Sequence, residues 1–225
     1  MKELVMFDLD GTLVETGPGI LDALRKTFWE KGMEPPAEEI LHRFIGPPLT
    51  ESFHLFAGIA KEQLATMVDT FRKHYQQDGI YRGGPYPGMV ETLASLGSRV
   101  SLAVATAKPQ ESAEIVLQYF GLRDYFDVVV GSDLATGLMG KEQIMVKVLA
   151  QYPLLHVSKA MMVGDRSFDI EAARSLGMDS VGALYGYGQL DEFAMATYCI
   201  EKPSELPEIV WSKKPKEKEY LTHEE

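Results

Sequence analysis

Five short stretches of this chain are apolar almost without interruption: Leu4 to Phe7, Leu102 to Ala105, Val128 to Val130, Ala160 to Val163 and Ser180 to Leu184. A strand with one wet face alternates polar and apolar residues, whereas a strand covered on both faces does not. The five runs therefore read as the strands of a parallel sheet buried on both sides. A helical pattern at Met89 to Ser95 precedes the second run, and others at Gln110 to Tyr119, Gln143 to Gln151 and Ile170 to Leu176 separate the last four. Strands alternating with helices predict an α/β fold with a doubly wound parallel sheet.

Between the first and second runs lies an interval of about ninety residues, far longer than a connection of ~2 to 6 residues plus one helix. Residues 16–82 read as helix only, with one apolar stripe at Ile20, Leu21, Leu24 and Phe28 and another at Leu64, Met67, Val68, Phe71 and Tyr75. The expectation is an inserted four-helix subdomain. The punctuation Gly83-Gly84-Pro85-Tyr86-Pro87-Gly88 closes it and returns the chain to the main domain. The predicted organisation is thus a core from residues 1–15 and 83–207, a helical insertion over 16–82 and a tail over 208–225. From Ser212 that tail is charged and almost devoid of apolar residues, which predicts a solvated or disordered end.

Charge narrows the choice of partner. Among 225 residues, 22 Lys and Arg face 33 Asp and Glu, a formal net charge of −11. A polyanion would meet net repulsion, so nucleic acid is excluded as an expected partner. The single cysteine, Cys199, allows neither an internal disulfide nor a cysteine metal cluster, and the expected compartment is the reducing cytoplasm. The first apolar run breaks at Asp8, far short of the ~18 residues of a membrane span, so no membrane association is expected.

The chemistry-bearing residues fall at the ends of the apolar runs. Asp8 and Asp10 follow the first, and two carboxylates so close repel unless a cation sits between them or one serves as a helix cap. A calcium loop would need glycine at its sixth position, where this chain has Leu13, with Gly11 fourth. Thr106 ends the second run, with Lys108 beyond it, and Lys141 follows a glycine-rich turn over residues 136–140. The fourth run ends in Gly164-Asp165, with Asp169 four residues on, a spacing that puts both acids on one face if a helix starts there. Taken singly, each has a bland reading as a cap or a surface charge. In an open parallel sheet, however, ligands bind outside the carboxyl ends of the strands, where these side chains would gather. Four carboxylates, a hydroxyl and an ammonium there supply oxygen ligands for a hard cation and donors for an anion.

This ordered set resembles the haloacid dehalogenase superfamily of aspartyl-phosphate hydrolases, in the branch of phosphoglycolate phosphatases and 5′-nucleotidases. Asp8 to Thr12 match the first family motif, Thr106 the second, Lys141 the third, and Gly164-Asp165 with Asp169 the fourth. The resemblance implies a Rossmann-like core with a helical cap between its first two strands, and magnesium-dependent hydrolysis of a small phosphorylated metabolite. It makes Asp8 the nucleophile that becomes a phosphoaspartate and Asp10 the general acid and base. Asp8, the Asp10 backbone carbonyl and Asp165 become the metal ligands. Thr106, the Ala107 backbone N–H and Lys141 hold the phosphoryl oxygens, and Asp169 orients Lys141 or metal-bound water. The chain has Thr106-Ala107-Lys108-Pro109 where the family commonly has Thr-Asn-Lys-Pro, which places Lys108 among the expected specificity residues. Arg43, in a stretch similar to the cap loop that meets substrate, joins them. So do Tyr185 and Tyr187, as candidates to stack on a base.

Three rival activities share some of these residues. A dehalogenase has no use for Asp10. A phosphomutase keeps every motif and differs in the acceptor its cap admits. A receiver-type signalling module offers clustered acids, threonine and lysine, but needs only ~120 residues and no helical insertion. The number of copies in the assembly is left open.

Overall fold

The computed structural model describes residues 1–133, 136–137 and 140–212. The chain divides into two compact units, one made of Met1–Val14 and the chain from Pro85 on, the other of Glu15–Gly84. Of the tail expected over 208–225, residues 208–211 instead continue a helix, Leu206–Trp211, with Ile209 and Val210 buried, because the apolar pair Ile209-Val210 packs into the core. The charged stretch from 213 on, where disorder is expected, lies outside the described residues.

The elements run β1 (Leu4–Phe7), β2 (Val14–Glu15), α1 (Gly17–Glu30), α2 (Glu38–His42), α3 (Leu49–Ala57), α4 (Lys61–Gln77), β3 (Gly84–Pro85), α5 (Met89–Gly97), β4 (Ser101–Pro109), α6 (Gln110–Tyr119), β5 (Val128–Ser132), α7 (Lys141–Leu149), β6 (Ala160–Gly164), α8 (Ser167–Ser175), β7 (Asp179–Ala183), β8 (Tyr198–Ile200) and α9 (Leu206–Trp211). The two-residue strands β2 and β3, where the chain passes from one unit to the other and back, pair with each other.

In the larger unit six strands form one parallel sheet in the order β5-β4-β1-β6-β7-β8. This is the doubly wound α/β arrangement that the uninterrupted apolar runs predict, because both faces are dry. Leu4 and Met6 of β1, Ala103 and Ala105 of β4, and Ala160 and Met162 of β6 point to one face. There they pack on Ile144, Met145 and Val148 of α7 and Ala172 and Ala173 of α8. Val5 and Phe7 alternate to the other face, where the ring of Phe7 meets Phe126 edge-on at 6.0 Å. Winding reverses at β1: the chain builds outward through β4 and β5 on one side, then returns to build β6, β7 and β8 on the other, so the carboxyl end of β1 borders a crevice.

The sixth strand, Tyr198–Ile200, has no counterpart among the apolar runs. It is three residues long, pairs only with β7, and carries one fully buried residue, Ile200, too little hydrophobic signal to register. Two helices begin earlier than their apolar patterns do. α7 opens at Lys141 and α8 at Ser167, their first turns holding mostly polar residues that leave no apolar pattern.

The smaller unit holds four α-helices. The stripe Ile20, Leu21, Leu24 and Phe28 is buried, as are Met67, Val68, Phe71 and Tyr75, with Leu64 half-buried at the edge. Phe53 of α3 joins Phe28 and Phe44 through ring contacts of 5.8 and 5.2 Å. No described helix is long and apolar enough to cross a membrane.

Candidate active site

The chain turns sharply once β1 ends. Asp8 still donates its N–H to Val163 of β6 at 2.9 Å, but the carbonyl of Leu9 then accepts from Thr12, Leu13 and Val14. That winds residues 9–14 into a tight loop through Gly11, whose φ of 83° is costly for any residue with a Cβ. Asp8 is thereby held buried at the strand end.

Around it gather Asp165, from the end of β6, and Asp169, from the first turn of α8. One carboxylate oxygen from each of the three lies within 4.8 Å of the others. Lys141, the first residue of α7, reaches into this group. Its ammonium is 2.9 Å from Oδ1 of Asp8 and 2.8 Å from Oδ1 of Asp169, and it donates a hydrogen bond to the Ala105 carbonyl of β4 at 3.0 Å. Burial alone would lower the Lys141 pKa, but the charges of Asp169 and Asp8 outweigh it and hold the group above the usual lysine value. The two Oδ1 atoms are close to the ammonium without lying along a well-directed N–H, so each keeps capacity for a further cation.

Asp165 is enclosed on every side. Thr12 donates its hydroxyl to Oδ1 at 3.1 Å and Tyr187 its backbone N–H to Oδ2 at 2.9 Å. Burial first, then Asp8 and Asp169, push its carboxyl well above the ordinary carboxylate range, and those two hydrogen bonds oppose the shift only in part. The glycines of residues 182–188 explain how the chain comes so near. A Cβ on Gly186 would stand 2.2 Å from that of Asp165 and 2.5 Å from the Gly11 carbonyl.

Asp169 performs two tasks with one carboxylate. Oδ2 accepts the Arg166 N–H at 3.2 Å, the helix-cap role that its position in the first turn suggests, while Oδ1 faces Lys141. Burial raises its pKa to about 6 against the opposing pull of Lys141, with Asp8 adding to the rise. Asp165 itself stands before the helix rather than on it, so the two acids converge from a strand end and a helix start instead of sharing a helical face.

Asp10 points elsewhere. Both its oxygens accept from the ammonium of Lys108, at 2.9 and 3.0 Å, and its carboxylate is absent from the buried group of three. Lys108 lies on an irregular stretch of β4. Ala105 pairs with Val130 and Pro109 with Ser132, so two extra residues on β4 are taken up in between. Gly131 makes room, since a Cβ there would be 2.6 Å from the Lys108 carbonyl. Within the bulge the Lys108 N–H donates to the Thr106 hydroxyl at 3.2 Å, which leaves that buried hydroxyl its own proton to give. Ala107 lies half-buried between them.

The remaining candidates are Arg43, in the smaller unit, and Tyr185 and Tyr187, in the larger. Arg43, exposed in the smaller unit, has its guanidinium 4.2 Å over the Phe56 ring. Tyr185 packs its ring on Tyr86 at 4.8 Å and donates its hydroxyl to the Thr12 carbonyl at 3.2 Å. Tyr187 contributes a backbone amide. Sequence reading missed both the Lys108 link to Asp10 and the cradle that Gly186 and Tyr187 form around Asp165. The first spans 98 positions and leaves no trace in local spacing. The second had a visible signal, the alternating Tyr and Gly, but glycines that admit a carboxylate look the same as glycines that make a turn.

The charges do not balance without help. Counted as fully ionised, four carboxylates, Asp8, Asp10, Asp165 and Asp169, face two ammoniums, Lys108 and Lys141, an excess of two negative charges that the raised Asp165 and Asp169 carboxyls register. Oxygen-only donors, clustered, buried and short of positive charge, fit a hard divalent cation such as magnesium.

The family profile described as haloacid dehalogenase-like hydrolase matches residues 5–183. Tyrosine-protein kinase PtkA of Mycobacterium tuberculosis is 32% identical over 190 residues, covering 84% of this chain, and the chain spans only 64% of that relative's length. Phosphoglycolate phosphatase of Aquifex aeolicus is 31% identical over 212 residues, covering 92% of this chain and 96% of the relative. Among solved structures, a haloacid dehalogenase-like family hydrolase from Streptococcus pneumoniae superposes with a TM-score of 0.87 at 28% identity, over 92% of this chain and 98% of its own.

Proposed function

The chain belongs to the haloacid dehalogenase-like hydrolases, and from that premise we propose that it hydrolyses small phosphate monoesters through an aspartyl-phosphate formed on Asp8. The observation that carries the reading is the buried Asp8 carboxylate, 2.9 Å from the Lys141 ammonium and grouped with two further acids while Asp10 is held aside.

An anionic nucleophile attacking an anionic phosphoryl group needs its repulsion cancelled and its approach fixed. Asp8 forms a bond to phosphorus as the bond to the leaving alkoxide breaks. Asp10 gives that oxygen a proton, later takes one from the water that attacks the phosphoaspartate, and phosphate departs with Asp8 restored. Thr106 through its hydroxyl, Ala107 through its N–H and Lys141 through its ammonium hold the phosphoryl oxygens. Magnesium would be held by Asp8, Asp165 and the Asp10 carbonyl, with Asp169 steadying Lys141 beside them. When bound, it supplies the positive charge that the acidic group lacks. Arg43, in the helical unit, is proposed as a specificity residue for a second anionic group of the substrate. The substrates proposed are a phosphoglycolate-like acid or a nucleoside monophosphate, and the compartment proposed is the reducing cytoplasm.

Phosphate release with magnesium, measured over phosphoglycolate, sugar phosphates, nucleoside monophosphates and pyrophosphate, tests this. The wild type should turn over at least one class, and Asp8→Asn should fall to background. Wild-type turnover by Asp8→Asn would end the proposal, and isomerisation of a sugar phosphate without phosphate release would replace it with a phosphomutase.

A further inference from the structure

We propose that Lys108 is a positioning residue that fixes the orientation of the Asp10 carboxylate, an inference that rests on the phosphatase reading above. The ammonium meets both oxygens of Asp10, at 2.9 and 3.0 Å, and both side chains are sheltered, with 5% of Lys108 and 16% of Asp10 exposed. One contact would leave a carboxylate free to rotate about its χ2 axis, whereas a grip on both oxygens fixes the plane of the group.

The need for such a grip follows from the neighbours. Asp10 is two residues from Asp8, and Asp8 already shares its surroundings with Asp165 and Asp169. Without an anchor, the carboxylate of Asp10 could swing to any cation drawn to those three acids, and a carboxylate bound there cannot pass a proton to a leaving group. Lys108 supplies a competing positive charge on the opposite side. It is itself held firmly, because the bulge of β4 fixes its backbone, its N–H is bonded to the Thr106 hydroxyl, and its stem is buried. One bulge of β4 therefore aims two groups at once, the hydroxyl that would hold the phosphoryl oxygen and the lysine that holds the acid. This differs from the specificity role expected of Lys108 in sequence, in which its ammonium would meet the substrate directly.

Kinetics separate the two roles. For Lys108→Met, which keeps most of the buried stem, kcat on an alkyl phosphate should fall ~10- to 100-fold, part of the ~10² to 10⁴ that a general acid supplies. KM should move less than about threefold. The loss in kcat/KM should shrink with p-nitrophenyl phosphate, whose phenolate departs without a proton. Adding Lys108→Met to Asp10→Asn should cost nothing further, since both remove the same service. Lys108→Arg, which can grip both oxygens, should recover most of kcat. A raised KM at unchanged kcat, or full additivity with Asp10→Asn, would overturn the proposal in favour of a substrate contact. A crystal structure of Lys108→Met decides the same point without reference to turnover: Asp10 should change rotamer, and an unmoved carboxylate overturns the proposal even if the phosphatase reading stands. If instead Asp10 moves but neither wild type nor variant releases phosphate, the failure belongs to the phosphatase reading.

Discussion

The ammonium of Lys141 lies 2.8 Å from Oδ1 of Asp169, with 7% of one side chain and 1% of the other exposed to solvent. Removing one partner from a buried pair strands the other's charge, at a cost of about 3 to 5 kcal/mol. Lys141→Met should therefore lose about that much stability in urea at neutral pH. The loss should shrink in mild acid, where Asp169, already raised to about 6, takes up a proton instead. An equal loss at both pH values would mean that the pair contributes through packing rather than charge.

The raised carboxyls give stability a pH slope of unusual sign. Folding lifts Asp169 from the ordinary carboxylate value to about 6 and Asp165 in the same direction, so the folded chain binds more protons than the unfolded one in that window. The Asp169 contribution is greatest below the ordinary carboxylate pKa and is lost as pH rises to about 6, and Asp165 adds a slope of the same sign. Lys141, held above its usual value, stays cationic throughout and adds no slope there. In chelator, Asp169→Asn should become relatively more stable as pH rises through this window, measured as a difference in Tm from the wild type. Magnesium should raise Tm more at neutral pH than at about pH 5, because proton and metal compete for the same oxygens. A magnesium effect independent of pH would rule out that competition.

Gly186→Ala should disturb Asp165 directly. Its new methyl would meet Asp165 at 2.2 Å and the Gly11 carbonyl at 2.5 Å, and neither is the movable end of a long side chain. The expected cost is about 1 to 3 kcal/mol from overpacking, together with weakened magnesium binding by calorimetry. Gly84→Ala, where a Cβ meets nothing within 4 Å, is the control and should leave both unchanged.

Tyr185→Phe removes the hydroxyl that bonds the Thr12 carbonyl but keeps the ring against Tyr86. A loss near 1 kcal/mol is expected, roughly the usual contribution of one hydrogen bond. If the residue serves packing alone, KM for a nucleoside monophosphate should not change in Tyr185→Phe or Tyr185→Leu. A rise in KM with Tyr185→Leu alone would restore base stacking.

The sheet was legible because burial on both faces leaves its mark residue by residue: Leu4–Phe7 is apolar in sequence and wholly buried in the fold. The helical insertion was legible for a similar reason, since amphipathic periodicity is local. The short strand Tyr198–Ile200 was not, because three residues at a sheet edge carry almost no pattern.

For the acidic group, order along the chain determined which residue types stand at the strand ends, and the doubly wound topology implied that those ends meet. Which oxygen faces which nitrogen was decided only in three dimensions. Asp169 divides its two oxygens between a helix cap and Lys141, and Asp10 turns to a lysine 98 positions away. Local sequence records propensity and burial, which act over a few neighbouring residues. The direction of a carboxylate depends instead on charges that the chain brings together only by folding, and no spacing of residues encodes that vector.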